Sequence, residues 1–158
     1  MSPERINQMV ERLAARLKET PDDLAGWARL GRAYKVQGRL TEAEEAYAKA
    51  GKLLEGDPNL LTQYADILAV RAGNRLEGRP LALVKKALAL DAKHPQALMM
   101  AGSAAFQRAD YVQAIAYWEK VLTVLEPDSQ DAKLVVAEIA DARAKAGQSL
   151  GVSTHLLV

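Results

Sequence analysis

The sequence predicts an all-α chain built from stacked helical hairpins. Three observations carry that prediction. Apolar residues recur at three- and four-residue spacing almost throughout, no useful length alternates apolar and polar residues as a half-buried strand does, and a pattern of small and aromatic residues returns at a period of about 34 residues.

Taken in order, residues 3–20 form an N-terminal helix in which Ile6, Met9, Val10, Leu13 and Leu17 make one apolar stripe, with Glu4, Arg5, Glu11, Arg12 and Lys18 opposite. Pro21 stops it, and Asp22 or Asp23 is placed to cap the next helix. A first hairpin, 22–57, contains "WARLGRAYKVQGRLTEAEEAYAKA". Gly38 divides its two helices, and Thr41 with Glu44 three residues on reads as a capping box. A second hairpin, 58–94, pairs "NLLTQYADILAV" with "LALVKKALAL" across an enlarged loop, 71–80, "RAGNRLEGRP". The third, 95–127, pairs "QALMMAGSAAFQ" with "YVQAIAYWEKVLTVL" through a turn near Ala109 and Asp110. A last helix, 128–147, puts Leu134, Val135, Ile139 and Ala142 on one face, and a tail, 148–158, follows. All of this is one domain, 1–158, in which no hairpin can bury its face alone and the first and last helices close the ends of the stack.

Trp27, Leu61 and Leu98 align the hairpins at spacings of 34 and 37 residues. Two antiparallel helices at this period are the tetratricopeptide arrangement, about three repeats here. Trp27, Leu30, Gly31, Tyr34, Ala43, Tyr47 and Ala50 supply its pattern in the first unit, and Leu98, Ala101, Gly102, Ala105, Ala114, Trp118 and Val121 in the third. The middle unit fits with Leu61, Tyr64, Ala65 and Leu68, then with Val84, Ala87 and Leu90 after three extra loop residues. Small residues at Gly31, Ala65 and Gly102 let paired helices approach closely, while Trp27, Tyr34, Tyr47 and Trp118 fill the space between them.

Bulk properties exclude several classes of function. Lys and Arg (21) nearly balance Asp and Glu (20) at a net charge of +1, which offers nucleic acid no bulk electrostatic attraction. No apolar run has the length of a bilayer span, and the first residues lack the layout of a signal peptide, so no direct membrane contact is expected of this chain. The absence of Cys removes disulfides, thiolate metal sites and a Cys nucleophile, and fits cytoplasm and periplasm equally.

A narrower resemblance lies in "MVERLAARLKETPDDLAGWARLGRAY", the loop "AGNRLEGRP", and "LVKKALALDAKHPQALMMAGSAAFQRADYVQAIAYWEKVL". Gly73, Arg75, Leu76, Gly78 and Pro80 interrupt an ordinary repeat at one fixed place. In these segments the chain resembles the periplasmic C-terminal tetratricopeptide domain of the haem-lyase subunits of c-type cytochrome maturation, the CcmI, CycH and NrfG group. The resemblance implies a chaperone-like helper that holds apocytochrome c, chiefly by its C-terminal helix, for the haem-attachment machinery. It implies a periplasmic location, with membrane segments upstream or in a partner. The alternative is a general tetratricopeptide scaffold for another complex, unrelated to haem, with a cytoplasmic location.

Catalytic chemistry has little to stand on. His94 precedes Pro95 in a turn and His155 lies in the tail, neither with a second ligand at metal spacing. The pairs Asp22–Asp23 and Glu44–Glu45 sit at helix starts, where carboxylates complement the dipole. There is no phosphate loop and no CxxCH. The expectation is a binding protein, not an enzyme, with no cofactor and no metal.

Residues facing away from the packed anchors of each first helix define the expected peptide groove: Arg29, Arg32, Lys35 and Val36, then Thr62, Gln63, Asp66 and Val70, then Met99, Met100, Ser103, Phe106 and Gln107. It should be basic at one end and apolar at the other, with adaptable Met at the apolar end. Met99 and Phe106 have packing on a neighbouring helix as their alternative role, and Arg29 and Arg32 a solvated face. Of the places where some tetratricopeptide domains clamp a terminal carboxylate, occupied here by Ala28, Arg32, Gln63, Met99 and Ser103, only Arg32 could serve. Leu156, Leu157 and Val158 either pack on the final helix or dock in a groove, their own or that of a second copy, as a route to self-association.

Overall fold

The computed structural model describes the backbone of residues 1–156 and the side chains of residues 1–148. Among the described residues there are helices and no strands: α1 (Pro3–Glu19), α2 (Leu24–Val36), α3 (Leu40–Ala50), α4 (Lys52–Glu55), α5 (Pro58–Arg71), α6 (Arg79–Leu90), α7 (Pro95–Gln107), α8 (Tyr111–Leu122) and α9 (Gln130–Leu156). Helices α2 and α3, α5 and α6, and α7 and α8 pair as hairpins, α9 packs on α8, and α1 lies against α2. Direct contacts of α2 with α5 and of α5 with α7 set the first helices of the hairpins side by side. This is the all-α tetratricopeptide solenoid the periodicity predicts.

The hairpins close where side chains are smallest. A Cβ on Gly31 would stand 2.6 Å from the Tyr47 ring, and one on Gly102 would overlap the Trp118 indole. Tyr47 and Trp118 are thereby buried, and the Trp118 indole N–H donates to the Met99 carbonyl at 3.3 Å. The middle hairpin has Ala65 and Val84 at the equivalent places, both fully buried. Tyr47 then stacks on Tyr64 of α5, ring centroids 6.0 Å apart, joining the first hairpin to the second.

Several helix starts follow local chemistry, and α3 departs from the expected one. Asp23, Asp57 and Asp110 cap α2, α5 and α8 by accepting from backbone N–H groups. Thr41 does not cap α3: the helix begins at Leu40, two residues too early for a capping box, and Arg39 stands at the cap without a side-chain bond. Arg39 instead reaches Glu11 at 3.0 Å and Glu42, while Gln37 donates to Asn7 at 2.6 Å, so a polar cluster fastens α1 to the α2–α3 turn. Burial raises the Tyr34 hydroxyl above its ordinary range, with nearby Glu11 adding to it, and the hydrogen bonds Arg39 donates to Glu42 and Glu11 raise its guanidinium. Glu44, the other half of the expected box, pairs with Arg71 and, at 3.9 Å, with Arg79.

The end helices bury less than their apolar stripes suggest. In α1, Val10 and Leu17 are buried, whereas Ile6 and Met9 are 41% and 54% exposed, because α1 packs mainly on α2 and over a narrow strip. In α9, Ala132, Val135, Ile139 and Ala142 face α8, and Leu134 is 53% exposed, one position off that face. Leu90, the last residue of α6, is likewise exposed. The helix α9 runs through Gly147, where the sequence places its end, as far as Leu156. The tail contacts expected of Leu156, Leu157 and Val158, and the side chain of His155, lie outside the described residues.

His94 turns out to be structural. Its Nδ1 accepts from the Ala97 N–H at 3.2 Å to cap α7, and its Nε2 lies 2.7 Å from Asn59 Oδ1 of α5. One neutral tautomer satisfies both contacts, with the proton on Nε2.

Two outcomes are expected in urea unfolding. Gly102→Ala destabilises by about 1–2 kcal/mol, because overpacking against Trp118 outweighs the roughly 1 kcal/mol gain in helix propensity. His94→Ala costs about 1–2 kcal/mol by removing the cap and its bond to α5, and His94→Asn, which restores a cap acceptor, recovers part of that loss.

Candidate functional site: a groove along α2, α5 and α7

With the anchors turned into the hairpins, the opposite faces of α2, α5 and α7 are left to solvent, and three linked depressions run along them. The first, about 350 Å³, is lined by Arg32, Lys35, Val36, Tyr47 and Gln63. The second, about 310 Å³, shares Lys35 and Gln63 and adds Asn59, Thr62, Asp66 and Gln96. The third, also about 310 Å³, shares Asp66 and Gln96 and ends among Met99, Met100, Ser103 and Gln107. Helical register explains the lining: Arg32, Lys35 and Val36 share one face of α2, Asn59, Gln63 and Asp66 one face of α5, and Gln96, Met99 and Ser103 one face of α7.

The structure thus brings Arg32, Lys35, Gln63, Asp66, Met99, Met100 and Ser103 to one groove. Met100 sits at its edge with only 6% exposure, most of the side chain being packed in the core. Arg29 is elsewhere: it shares the register of Arg32 and Val36 but lines none of the three depressions, and its guanidinium is 4.0 Å from Asp23. Phe106 is also turned away, edge-on to Tyr111 at 5.3 Å and tilted against Trp118 at 5.9 Å, with the Lys145 ammonium above its ring. An aromatic ring at that register gains more by filling the space beside Trp118 than by facing water.

The electrostatics differ from a simple basic-to-apolar gradient. Lys35 is neutralised by Asp66 at 2.8 Å, an ion pair that bridges α2 and α5 across the groove floor. Arg32 is left as the exposed cation beside Val36, which is 83% exposed. The buried Tyr47 hydroxyl donates to Gln63 Oε1 at 2.7 Å, which fixes the Gln63 amide. Burial pushes the Tyr47 hydroxyl up to about 12, against a smaller downward pull from Arg32. The Thr62 hydroxyl is spent inside its own helix, donating to the Pro58 and Asn59 carbonyls, and Val70 lines none of the three depressions.

Sequence reasoning missed Asn59, Gln96 and Asn74. Asn59 stands four residues before Gln63 and Gln96 three before Met99, so the register that finds the later residue finds the earlier one too. Asn74, at φ 68° in the enlarged loop, carries no such signal. The loop is held by Gln107, whose Oε1 accepts from the Leu76 N–H at 2.9 Å and whose Nε2 donates to the Asn74 carbonyl at 2.7 Å. Among the described residues no cluster of three His, Cys, Asp or Glu side chains could hold a metal, and no helix is long and apolar enough to cross a membrane. What the groove offers is hydrogen bonding, one bridging ion pair, an exposed Arg and a Met surface, which is the chemistry of peptide recognition.

Stacked helical hairpins with an open groove along their first helices define a tetratricopeptide repeat protein, a class of typically non-catalytic interaction modules that bind peptides and proteins. The family described as the cytochrome c-type biogenesis protein H TPR domain matches residues 1–132, and the chain belongs to that family. It is 31% identical over 151 residues to the cytochrome c-type biogenesis protein CycH of Pseudomonas aeruginosa, covering 94% of this chain and 37% of that protein. It is 31% identical over 134 residues to the formate-dependent nitrite reductase complex subunit NrfG of Escherichia coli O157:H7, covering 85% of this chain and 68% of that one. The chain therefore spans little more than a third of the CycH relative. A solved tetratricopeptide repeat protein from Parabacteroides merdae superposes with a TM-score of 0.73 at 23% identity, covering 96% of this chain and 59% of that one, a likeness of fold alone.

The burial of Tyr47 sets a pH dependence. In the folded chain this hydroxyl ionises near 12, and in the unfolded chain near its ordinary value of 10.0, so the unfolded chain gives up the proton first. The stability it contributes is complete below about pH 10 and is lost as pH rises toward about 12. Urea unfolding across that range, with near-ultraviolet absorbance reporting phenolate, should show stability falling with pH. Tyr47→Phe should flatten that part of the profile.

Proposed function

We propose that this chain is a protein-binding module of cytochrome c maturation that takes a helical segment of apocytochrome c, chiefly its C-terminal helix, into the groove along α2, α5 and α7 and presents it for haem attachment. Membership of the cytochrome c-type biogenesis family supports the process. The continuous groove from Arg32 to Ser103 supports the mode of binding, and it is the observation that carries the proposal. An apocytochrome is not yet folded around haem, so its helix has apolar residues still to bury, and a shallow groove with Met99 at one end can accept them without demanding one side-chain shape. Polar contacts from Gln63, Gln96 and Ser103 then set register, and Arg32 receives an acidic residue of the helix. The partners on this view are apocytochrome c and the haem-attachment machinery, and the location is the periplasm. The chain takes no part in the covalent chemistry, for which its groove has no reactive group.

A fluorescein-labelled peptide of the C-terminal helix of a c-type apocytochrome from the same organism tests this by anisotropy. Binding is expected with Kd below about 100 μM, and Met99→Glu, which sets a charge against the apolar face of the peptide, should weaken it about tenfold or more. Circular dichroism and urea unfolding check that the variant is folded. No binding at about 100 μM would overturn the proposal in favour of a scaffold for another assembly.

A further inference from the structure

Resting on the groove function proposed above, we infer that the cleft beneath the enlarged loop 71–80 receives the carboxylate end of the bound peptide, and so fixes the direction in which the peptide lies. The cleft, about 580 Å³, is bounded by Arg75 and Glu77 of the loop, Leu81 of α6, and Ala104, Gln107 and Arg108 at the end of α7. It shares Asn74 and Gln107 with the Met99 end of the groove, so a peptide leaving the groove at that end enters the cleft. Through Leu81 and Arg108 it continues into a depression of about 340 Å³ that adds Lys85 and Tyr117.

Charge selects the occupant. Arg75 and Arg108 share the cleft with one carboxylate, Glu77, and among the described residues neither arginine nor Lys85 has an ion-pair partner; Arg108 donates to the neutral Gln113 side chain. The opposite end of the groove offers a single exposed cation, Arg32, since Lys35 is already neutralised by Asp66. A bound helix carries about half a negative charge at its C-terminus, and a chain end there adds a full one. Guanidinium forks bind carboxylates through paired N–H donors. The loop is preorganised for this: Gln107 bonds both Asn74 and Leu76, Leu76 is buried, and Gly73, Asn74 and Gly78 take up positive φ.

The test uses the same labelled apocytochrome peptide in two forms, free acid and C-terminal amide, against the full chain, Arg75→Ala/Arg108→Ala and Met99→Glu. Amidation should weaken binding to the unaltered chain about fivefold at low ionic strength, less at high salt. The double arginine variant, altered at exposed positions, should lose a similar factor for the free acid and be indifferent to amidation. Met99→Glu should weaken both forms alike. Equal binding of acid and amide by the unaltered chain, with Met99→Glu still weakening both, would overturn the cleft and its direction while leaving the groove function standing. Failure of both forms to bind the unaltered chain would remove the groove function, and the cleft's role with it.

Discussion

Everything in this fold depends on how closely two antiparallel helices can approach within a hairpin. At Gly31 and Gly102 the absence of a Cβ lets α2 and α7 settle onto the aromatic rings of Tyr47 and Trp118, with no room for one further carbon. The middle hairpin reaches similar burial with different volumes, Ala65 and Val84, a larger residue on the first helix and a smaller one on the second. Close packing explains the trade, since a protein interior tolerates neither a void nor an overlap of a methyl group. Tyr47 then serves twice, as the filler opposite Gly31 and as the ring on which Tyr64 of the next hairpin stacks. One contact therefore sets both the geometry inside a repeat and the step to the following one.

The groove is a consequence of that packing. Once the anchors of α2, α5 and α7 turn inward, their other faces stand in a row, and the residues there are free to vary with the partner. Three of them are nevertheless drawn into the scaffold. Lys35 and Asp66 bridge neighbouring repeats, and Gln63 is held by the Tyr47 hydroxyl, so the floor of the groove is stiffened by polar contacts while its ends stay open. A surface preorganised in the middle and adaptable at its Met99 end suits a helical partner that must be ordered on binding. The enlarged loop extends the same logic to the rim, where Gln107 spends its amide on the loop backbone.

Helical period, repeat length and the small and aromatic anchors were all legible in the chain, because each is a local rule repeated: the period follows from 3.6 residues per turn, and a small residue opposite a ring follows from volume. That legibility extended to most of the groove, since residues one turn apart on the unanchored face of a helix must share a surface. It failed at Arg29 and Phe106, which lie near the register of the groove yet turn to Asp23 and to Trp118. It failed again at the ends, where Ile6, Met9 and Leu134 look like core on a helical wheel and have no neighbour to cover them. Thr41 and Glu44 satisfied the spacing of a capping box, but Arg39 already stood at the start of α3 and Arg71, from the next repeat, claimed Glu44.

By itself, then, the sequence determined that this protein is a stack of helical hairpins with a groove on their first helices, because periodicity and residue volume act within one helix or one hairpin. Only the tertiary structure decided which cations remain free, which ring faces the core, that His94 caps α7 while holding α5, and that the loop 71–80 walls a cleft at the groove's end. Several of those outcomes are set by partners 27 to 35 residues away, as for Glu44 with Arg71, Gln107 with Leu76 and His94 with Asn59, and no rule of local spacing reaches that far.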